Sequence, residues 1–126
     1  MAPAARKPNR LTRRAEFLLV AARGRKAATP GLVLQALARD DDAPARLGFT
    51  VTKKVGNAVV RNRVKRLMRE IVRKHLWRFS SGYDLVVIAR KGAAESAYVE
   101  SETQLLKLLV KARVMDHLAE DRDGER

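Results

Sequence analysis

The segment from Lys53 to Lys74 contains the residues whose types and spacing most clearly suggest a chemical role. It holds nine lysines and arginines but a single acid, Glu70. Arg61, Lys65 and Arg69 recur every four residues, so on a helix they form one row with neighbours about 5–6 Å apart. Phosphates along a nucleic-acid strand repeat on a similar scale, and arginine binds phosphate oxygens through two parallel hydrogen bonds. The segment therefore predicts a helix that binds a polyanion.

The charge of the whole chain supports the same interpretation. The 126 residues carry a formal net charge of +13, and 46% of them are hydrophobic, which is enough for one folded domain. Such a surplus implies a polyanionic partner, nucleic acid first and an anionic membrane surface second. No apolar run approaches the roughly 18 residues of a membrane-spanning helix, and no signal peptide is recognisable. The chain has no cysteine, which excludes disulfides and thiolate metal sites and is consistent with a cytoplasmic location.

Residues for protein-based catalysis do not form a recognisable pattern. The two histidines, His75 and His117, are far apart and have neither metal-ligand nor catalytic-triad spacing. Most acids lie in turns or near the ends of the chain, as in Asp40–Asp42, and are expected to be solvated. We therefore predict no catalytic residue in this chain.

One long helix is predicted to position the cationic row. Asn57 is a suitable N-cap, and the helix is expected to run from about Ala58 to Phe79. Apolar residues recur on one side of it with the spacing of a core-facing stripe. That stripe comprises Val60, Val64, Leu67, Met68, Ile71 and His75. Because the core takes the apolar side, membrane binding is the weaker alternative.

The remaining elements predict a small α+β sandwich in which helices pack on a sheet. Thr12 is the expected N-cap of a first helix that ends near Ala22. Two strands follow, Leu32 to Arg39 and one centred on Phe49, and the short acidic turn between them indicates an antiparallel hairpin. The apolar run from Tyr83 to Ala89 predicts a central strand that is covered on both faces.

The domain limits follow from the two ends of the chain. A last helix is expected from about Ser96 to Leu118, so residues 12–118 are predicted to form a single domain. Residues 1–11 are expected to be a flexible basic N-terminus, and residues 119–126 a flexible charged tail.

Three questions stay open at the level of residue patterns. The charge does not distinguish DNA from RNA, although the missing helix-turn-helix, zinc-finger and heptad spacings disfavour sequence-specific DNA binding. Phe17 on the first helix is equally suited to stacking on a base and to anchoring the core. The polar strand face with Thr50 is equally suited to a ligand and to solvent.

The stretch GFTVTKKVGNAVVRNRVKRLMRE, residues 48–70, resembles the signature of the bacterial ribonuclease P protein component family. Its Lys-Lys, Gly-Asn and Arg-Asn-Arg-x-Lys-Arg elements carry the likeness. NRLTRRAEF is similar to the N-terminal stretch of that family, YDLVVIARKGA to a later strand and YVESETQLLKLL to its last helix. The resemblance therefore covers about residues 9 to 115.

The resemblance implies both a fold and a role. The fold is a four-stranded sheet with three helices and a left-handed βαβ crossover, which is rare because right-handed crossovers are the overwhelming rule. The role is that of the protein subunit of ribonuclease P, an endoribonuclease that removes the 5′ leader of precursor tRNA. The active site and its Mg²⁺ ions would lie in the catalytic RNA, which agrees with the missing catalytic residues.

The resemblance also assigns expected contacts by position. The leader would lie in a cleft between the first helix and the sheet, lined by Phe17, Thr50, Arg61, Lys65 and Arg69. The catalytic RNA would be contacted by Lys53, Lys54, Arg63, Arg66, Arg73, Arg90 and Lys91. Asn62 matches a position that is linked to metal, although a lone amide is a weak ligand for Mg²⁺.

Two cleft positions depart from the family pattern. They are commonly aromatic, but here they are Ala21 and Gln35. We therefore expect contact with the leader to depend more on charge than on base stacking.

The partners implied are the catalytic RNA and precursor tRNA, with the chain as a monomer in a 1:1 complex, in the cytoplasm and without a membrane. The alternative from a different functional class is a structural RNA-binding protein of the ribosomal type. Such a protein would show no preference for a tRNA leader, and this property separates the two hypotheses.

Overall fold

The computed structural model describes residues 9–115, which form five strands and three α-helices. In chain order these are β1 (Asn9–Arg10), α1 (Arg14–Arg23), β2 (Arg25–Ala28), β3 (Leu32–Ala38), β4 (Arg46–Val51), α2 (Ala58–His75), β5 (Tyr83–Ala89) and α3 (Tyr98–Lys111). Three short 3₁₀ turns connect them, at Lys53–Val55, Leu76–Arg78 and Lys91–Glu95. The predicted α+β architecture with three helices is confirmed.

The strands form one mixed sheet in the order β1-β4-β5-β3-β2. The central strand β5 runs parallel to β4 and antiparallel to β3. The predicted hairpin of β3 and β4 is therefore wrong, because β5 lies between them. The physical reason is burial: β5 is the most continuously apolar strand, and the centre of the sheet covers it on both faces.

The sheet has five strands and not the predicted four. The basic stretch Arg25–Ala28 pairs antiparallel with β3 as an additional edge strand. At the opposite edge, Asn9–Arg10 pairs parallel with Arg46 and Leu47, and the adjacent Leu11 is buried. Residues 9–11 thus contact the sheet, although they lie before the predicted domain limit at Thr12. Residues 1–8 and 116–126, including most of the predicted terminal segments and His117, lie outside the described part.

Helices cover both faces of the sheet. The main core lies between the sheet and the pair α2 and α3, and includes Leu34, Leu47, Leu85, Met68 and Leu105. A smaller core of Leu11, Val20 and Val86 lies under α1 on the other face. Successive side chains of β4 point alternately to these two faces of the sheet. Leu47, Phe49 and Val51 face the main core, and Gly48 and Thr50 face the side of α1.

The β4–α2–β5 crossover is left-handed, as two hydrogen bonds show. The N–H of Leu11 donates to the carbonyl of Leu47, whereas the N–H of Thr52 donates to Ala89. Leu47 therefore directs its backbone groups toward β1, and Thr52 directs its own toward β5. View the sheet with β4 running upward and β5 on its right. In a strand of L-residues, a residue whose backbone groups point to the right has a side chain that points toward the viewer, so Thr50 and Thr52 face the viewer. Because α2 covers the Leu47 side, the chain crosses behind the sheet, and this path is left-handed.

The helix ends follow the capping rules with three corrections. α2 ends at His75 and not at the predicted Phe79, and a 3₁₀ turn follows at Leu76–Arg78. The Asn57 side chain accepts a hydrogen bond from the N–H of Val60 at 3.0 Å, which confirms the predicted N-cap of α2. At α1 the N-cap is Arg13 and not Thr12. The Glu16 side chain accepts hydrogen bonds from the backbone N–H groups of both Thr12 and Arg13, each at 3.0 Å. The last helix ends at Lys111, before the predicted Leu118, because the chain turns at Arg113 to bury Val114 and Met115.

Candidate nucleic-acid interface

The α2 helix has a buried side and a cationic side, as its sequence predicts. Val64, Met68 and Ile71 are buried in the main core, and Val60, Leu67 and His75 are half-buried. Val72 is also buried, so the centre of the apolar stripe is rotated slightly from the predicted one. This anchoring fixes which side chains of α2 face outward.

The predicted row of Arg61, Lys65 and Arg69 lies on one flank of α2. All three side chains are half-buried, and the Nε atoms of Arg61 and Arg69 are enclosed without a hydrogen-bond partner. Within residues 9–115, none of the three forms an ion pair or a side-chain hydrogen bond. A buried, unsatisfied guanidinium nitrogen is costly, so an external anion is the natural partner of this row.

The row lies beside an open edge of the sheet. α2 packs on β4, and α3 packs on β3 and β2, so the flank of α2 that points away from α3 faces the β1–β4 edge. β1 pairs only with Arg46 and Leu47, which leaves Phe49–Val51 without a strand neighbour on that side. Thr50 is exposed there on the α1 face. The row and Thr50 therefore border one continuous edge, on opposite faces of the sheet.

Phe17 joins α1 to this edge. A Cβ placed on Gly48 would lie 2.5 Å from the Phe17 ring, so glycine is what lets the ring rest on the β4 backbone. Phe17 is half-buried and packs against the smaller core. The ring therefore acts as a core anchor of α1 while part of it stays accessible beside Thr50.

Ala21 and Gln35 lie on the α1 side as well. Ala21 is half-buried on α1. Gln35 is 8% exposed, and its neighbours Leu34 and Ala36 belong to the main core on the other face. Its amide has no side-chain hydrogen bond to the described residues. This face of the sheet thus offers an amide where an aromatic ring is commonly expected.

A second cationic surface lies on the other flank of α2. Arg63 and Arg66 line a cavity together with Ala93 and Ala94 of the turn at Lys91–Glu95 and with Ser96, which follows that turn. That turn contacts the turn at Lys53–Val55, which brings Lys53 and Lys54 to the same side. All of these lysines and arginines are exposed. The structure therefore joins most of the residues expected to contact the catalytic RNA.

Arg73 and Arg90 lie at the margins of this second surface. Arg73 is exposed and lies two turns of α2 beyond Arg66. Arg90 is exposed, and its guanidinium donates a hydrogen bond to the carbonyl of Thr29 at 3.1 Å. Lys74, by contrast, is paired with Glu102 at 3.0 Å, and this pair raises the pKa of Lys74.

Comparison with known proteins gives a single family. The family model described as Ribonuclease P matches residues 5–113. The ribonuclease P protein component of Gluconacetobacter diazotrophicus is 56% identical over 107 residues, which are 84% of this chain and 92% of that relative. The chain belongs to the ribonuclease P protein family.

Solved structures of family members have the same fold. The RNase P protein of Staphylococcus aureus has a TM-score of 0.79 at 31% identity, covering 87% of this chain and 100% of that one. The RNase P protein of Thermotoga maritima has a TM-score of 0.71 at 33% identity, covering 79% of this chain and 93% of that one. The chain is thus a protein subunit of ribonuclease P, the RNA-based endonuclease of tRNA 5′ maturation.

In the described part of the chain, no three His, Cys, Asp or Glu side chains are grouped to hold a metal ion. Asn62 is exposed on α2 and offers one neutral amide oxygen. Hard cations prefer several oxygen ligands, so Asn62 could serve a metal only beside phosphates.

No helix of residues 9–115 is long and apolar enough to span a membrane.

An ion-pair network at the far end of the sheet was not predicted. Asp84 is buried and accepts hydrogen bonds from Arg39 at 2.6 Å and from Arg46 at 2.7 and 2.8 Å. Arg46 also pairs with Glu16 at 2.9 Å, which ties α1 to the sheet. Burial alone would raise the pKa of Asp84, but the hydrogen bonds and charges of the two arginines outweigh it and lower that pKa.

This network corrects the expectation that the acids are solvated. Asp84 follows Tyr83 in an apolar strand, and an acid within such a run is the signal that could have indicated a buried partner. His75 is a similar case. It lies 2.8 Å from Glu102, and this hydrogen bond is the main cause that lowers the pKa of Glu102.

Proposed function

We propose that the chain binds precursor tRNA and the catalytic RNA on two separate surfaces. The leader surface consists of Phe17, Thr50, Arg61, Lys65 and Arg69. The surface for catalytic RNA consists of Lys53, Lys54, Arg63, Arg66, Arg73, Arg90 and Lys91. The single observation that carries this proposal is the set of outward arginines and lysines of α2 without protein counter-charges in residues 9–115.

The leader surface favours an extended single strand. The open β4 edge at Phe49–Val51 is narrow, and the Arg61–Lys65–Arg69 row runs beside it. With Ala21 and Gln35 in place of aromatic residues, stacking is limited to Phe17. The Gln35 amide, which has no side-chain hydrogen bond to residues 9–115, supplies a hydrogen-bond donor and an acceptor for a base. Contact with the leader then depends on phosphate charge, one ring and one amide.

Mg²⁺ is the metal we propose for the RNA partner, with Asn62 at most an outer ligand completed by phosphates. Hydrolysis would use water activated by that metal. The cations of this chain lower the repulsion between the two RNAs, so they reduce the Mg²⁺ concentration that the complex requires. We place this chemistry in the cytoplasm, with one copy of the chain per catalytic RNA.

Reconstitution tests the proposal. The chain and its cognate catalytic RNA are mixed with precursor tRNA at low Mg²⁺, and release of the 5′ leader is measured with and without protein. We expect faster cleavage with protein, and tighter binding of precursor tRNA than of mature tRNA. Equal affinity for the two tRNAs would instead support the structural, ribosomal type of role.

A further inference from the structure

A cavity of about 290 Å³ separates α2 from the turn at Lys91–Glu95. Its inner walls are apolar, from Val64 and Leu67 on α2 and from Ala93 and Ala94 on the turn. Its outer rim is polar, from Arg63, Arg66, Glu70 and Ser96. Such a volume is near the lower limit of small-molecule sites, which span about 300–1,000 Å³. Apolar walls with a few polar groups at the mouth suit a small molecule that has an apolar body and polar edges.

Glu70 is the unusual member of the rim. It is the only acid between Lys53 and Lys74, and it is exposed. Arg66 lies four residues before it and Arg73 three residues after it, spacings at which ion pairs commonly form. Nevertheless Glu70 forms no ion pair or hydrogen bond with any side chain in residues 9–115. Because a carboxylate only accepts hydrogen bonds, a ligand that binds Glu70 has to offer donors.

We propose that this cavity binds a guanine base that is unstacked from the partner RNA. Guanine presents two adjacent donors, N1–H and the 2-amino group, which match the two oxygens of the Glu70 carboxylate. Adenine and cytosine each place a single amino donor beside an acceptor, and uracil has one N–H between two carbonyls. Proteins generally recognise RNA through such splayed bases and their Watson–Crick edges.

The neighbouring cations fit the same ligand. Arg63 and Arg66 on the rim are free to bind the phosphates on either side of the base. Ser96 donates its hydroxyl hydrogen to the Gly92 carbonyl at 3.2 Å, so its oxygen remains an acceptor. The proposed function supplies the identity of the RNA, on which this inference rests. The chemistry of the cavity alone selects the base.

Short RNA probes test the selectivity. Pentauridylate RNAs with a central guanosine, inosine, adenosine or uridine are titrated with the full chain, and binding is followed by fluorescence anisotropy. We expect the guanosine probe to bind about tenfold tighter than the uridine probe. Inosine, which lacks the 2-amino group, should fall between them. Equal affinity for all four probes would overturn the proposal.

Two variants link that preference to the cavity. Glu70→Gln replaces one acceptor by a donor and should abolish the preference for guanosine. Glu95→Gln removes the same charge from the adjacent turn without touching the cavity, and the preference should persist. Retention of the preference in Glu70→Gln, or its loss in both variants, contradicts the assignment.

The location is checked by NMR of alanine methyl groups. The guanosine probe should shift Ala93 and Ala94 more than Ala21 in the leader cleft, and the reverse pattern rejects the cavity. Precursor-tRNA cleavage measured on the same protein separates the two proposals. If the protein stimulates cleavage but does not prefer the guanosine probe, only the cavity proposal is rejected. If it prefers the guanosine probe but does not stimulate cleavage, only the proposed function is rejected.

Discussion

Two sets of arginines in this chain have opposite surroundings. Arg39 and Arg46, at one end of the sheet, share the buried carboxylate of Asp84. Arg39 also donates to the backbone carbonyls of Ala43 and Pro44 at 2.8 and 3.0 Å. Arg61 and Arg69 on α2 have no such acceptor within the described chain.

The difference teaches what an arginine contributes to each end of the molecule. Where carboxylates and carbonyls surround the guanidinium, it holds strands and loops together, and removing its counter-charge costs folding energy. Where the described residues offer no acceptor, the guanidinium repels its like-charged neighbours and is available to an external anion. We therefore propose that the same residue type stabilises the fold at one end and serves binding at the other.

The largest effect should come from breaking the paired end. Asp84→Ala leaves Arg39 and Arg46 without their counter-charge, and we expect a loss of about 3–5 kcal/mol in the free energy of unfolding. Urea denaturation followed by circular dichroism measures it. Asp40→Ala, which removes an exposed acid from the neighbouring turn, should stay within about 0.5 kcal/mol of the wild type. Similar losses of unfolding free energy in Asp84→Ala and Asp40→Ala would contradict the special role of the buried carboxylate.

The unpaired end should respond in binding and not in stability. Replacing both Arg61 and Lys65 by Ala should reduce the slope of log K against log salt for a single-stranded leader RNA. The expected reduction is about 0.7 per lost phosphate contact. The matched control is Lys107 and Lys111 on α3, an exposed pair with the same spacing. If both double variants show the same slope, the row does not bind the leader.

The smallest effect is a dependence of stability on pH. The pKa of Asp84 is lowered in the folded protein, so the folded state holds fewer protons than the unfolded state in mild acid. The stability that Asp84 contributes should be complete above its ordinary pKa of 3.8 and be lost as the pH falls through the folded value. Urea midpoints between pH 7 and pH 3 check this. The urea midpoint of Asp84→Ala should fall less between pH 7 and pH 3 than that of the wild type. An equal fall in both proteins would show that other acids cause the pH dependence.

Much of α2 could be predicted from local sequence. The cap at Asn57, the buried side with Val64 and Met68, and the cationic row follow from helical periodicity, which depends on near neighbours. The family resemblance extended this to the fold and the role, because its motif is long and unusual. In both cases the information lies within short stretches of chain.

The pairing of the strands could not be predicted in the same way. β3 and β4 look like a hairpin because a short polar turn joins them, but β5, more than thirty residues later, lies between them. Gly48 illustrates the same limit. Its small size is meaningful only once the Phe17 ring is known to rest on it. Such relations depend on distant parts of the chain coming together.

By itself, the sequence determined that this protein carries an excess of cations on an anchored helix, since charge and periodicity are properties of the residues and their spacing. Only the tertiary structure decided which cations are neutralised. Asp84 lies 38 residues from Arg46 along the chain yet 2.7 Å from it in space. Glu70 lies beside arginines in sequence but pairs with none in the described fold. Electrostatic interactions depend on distance and burial, and these are fixed only when the chain folds.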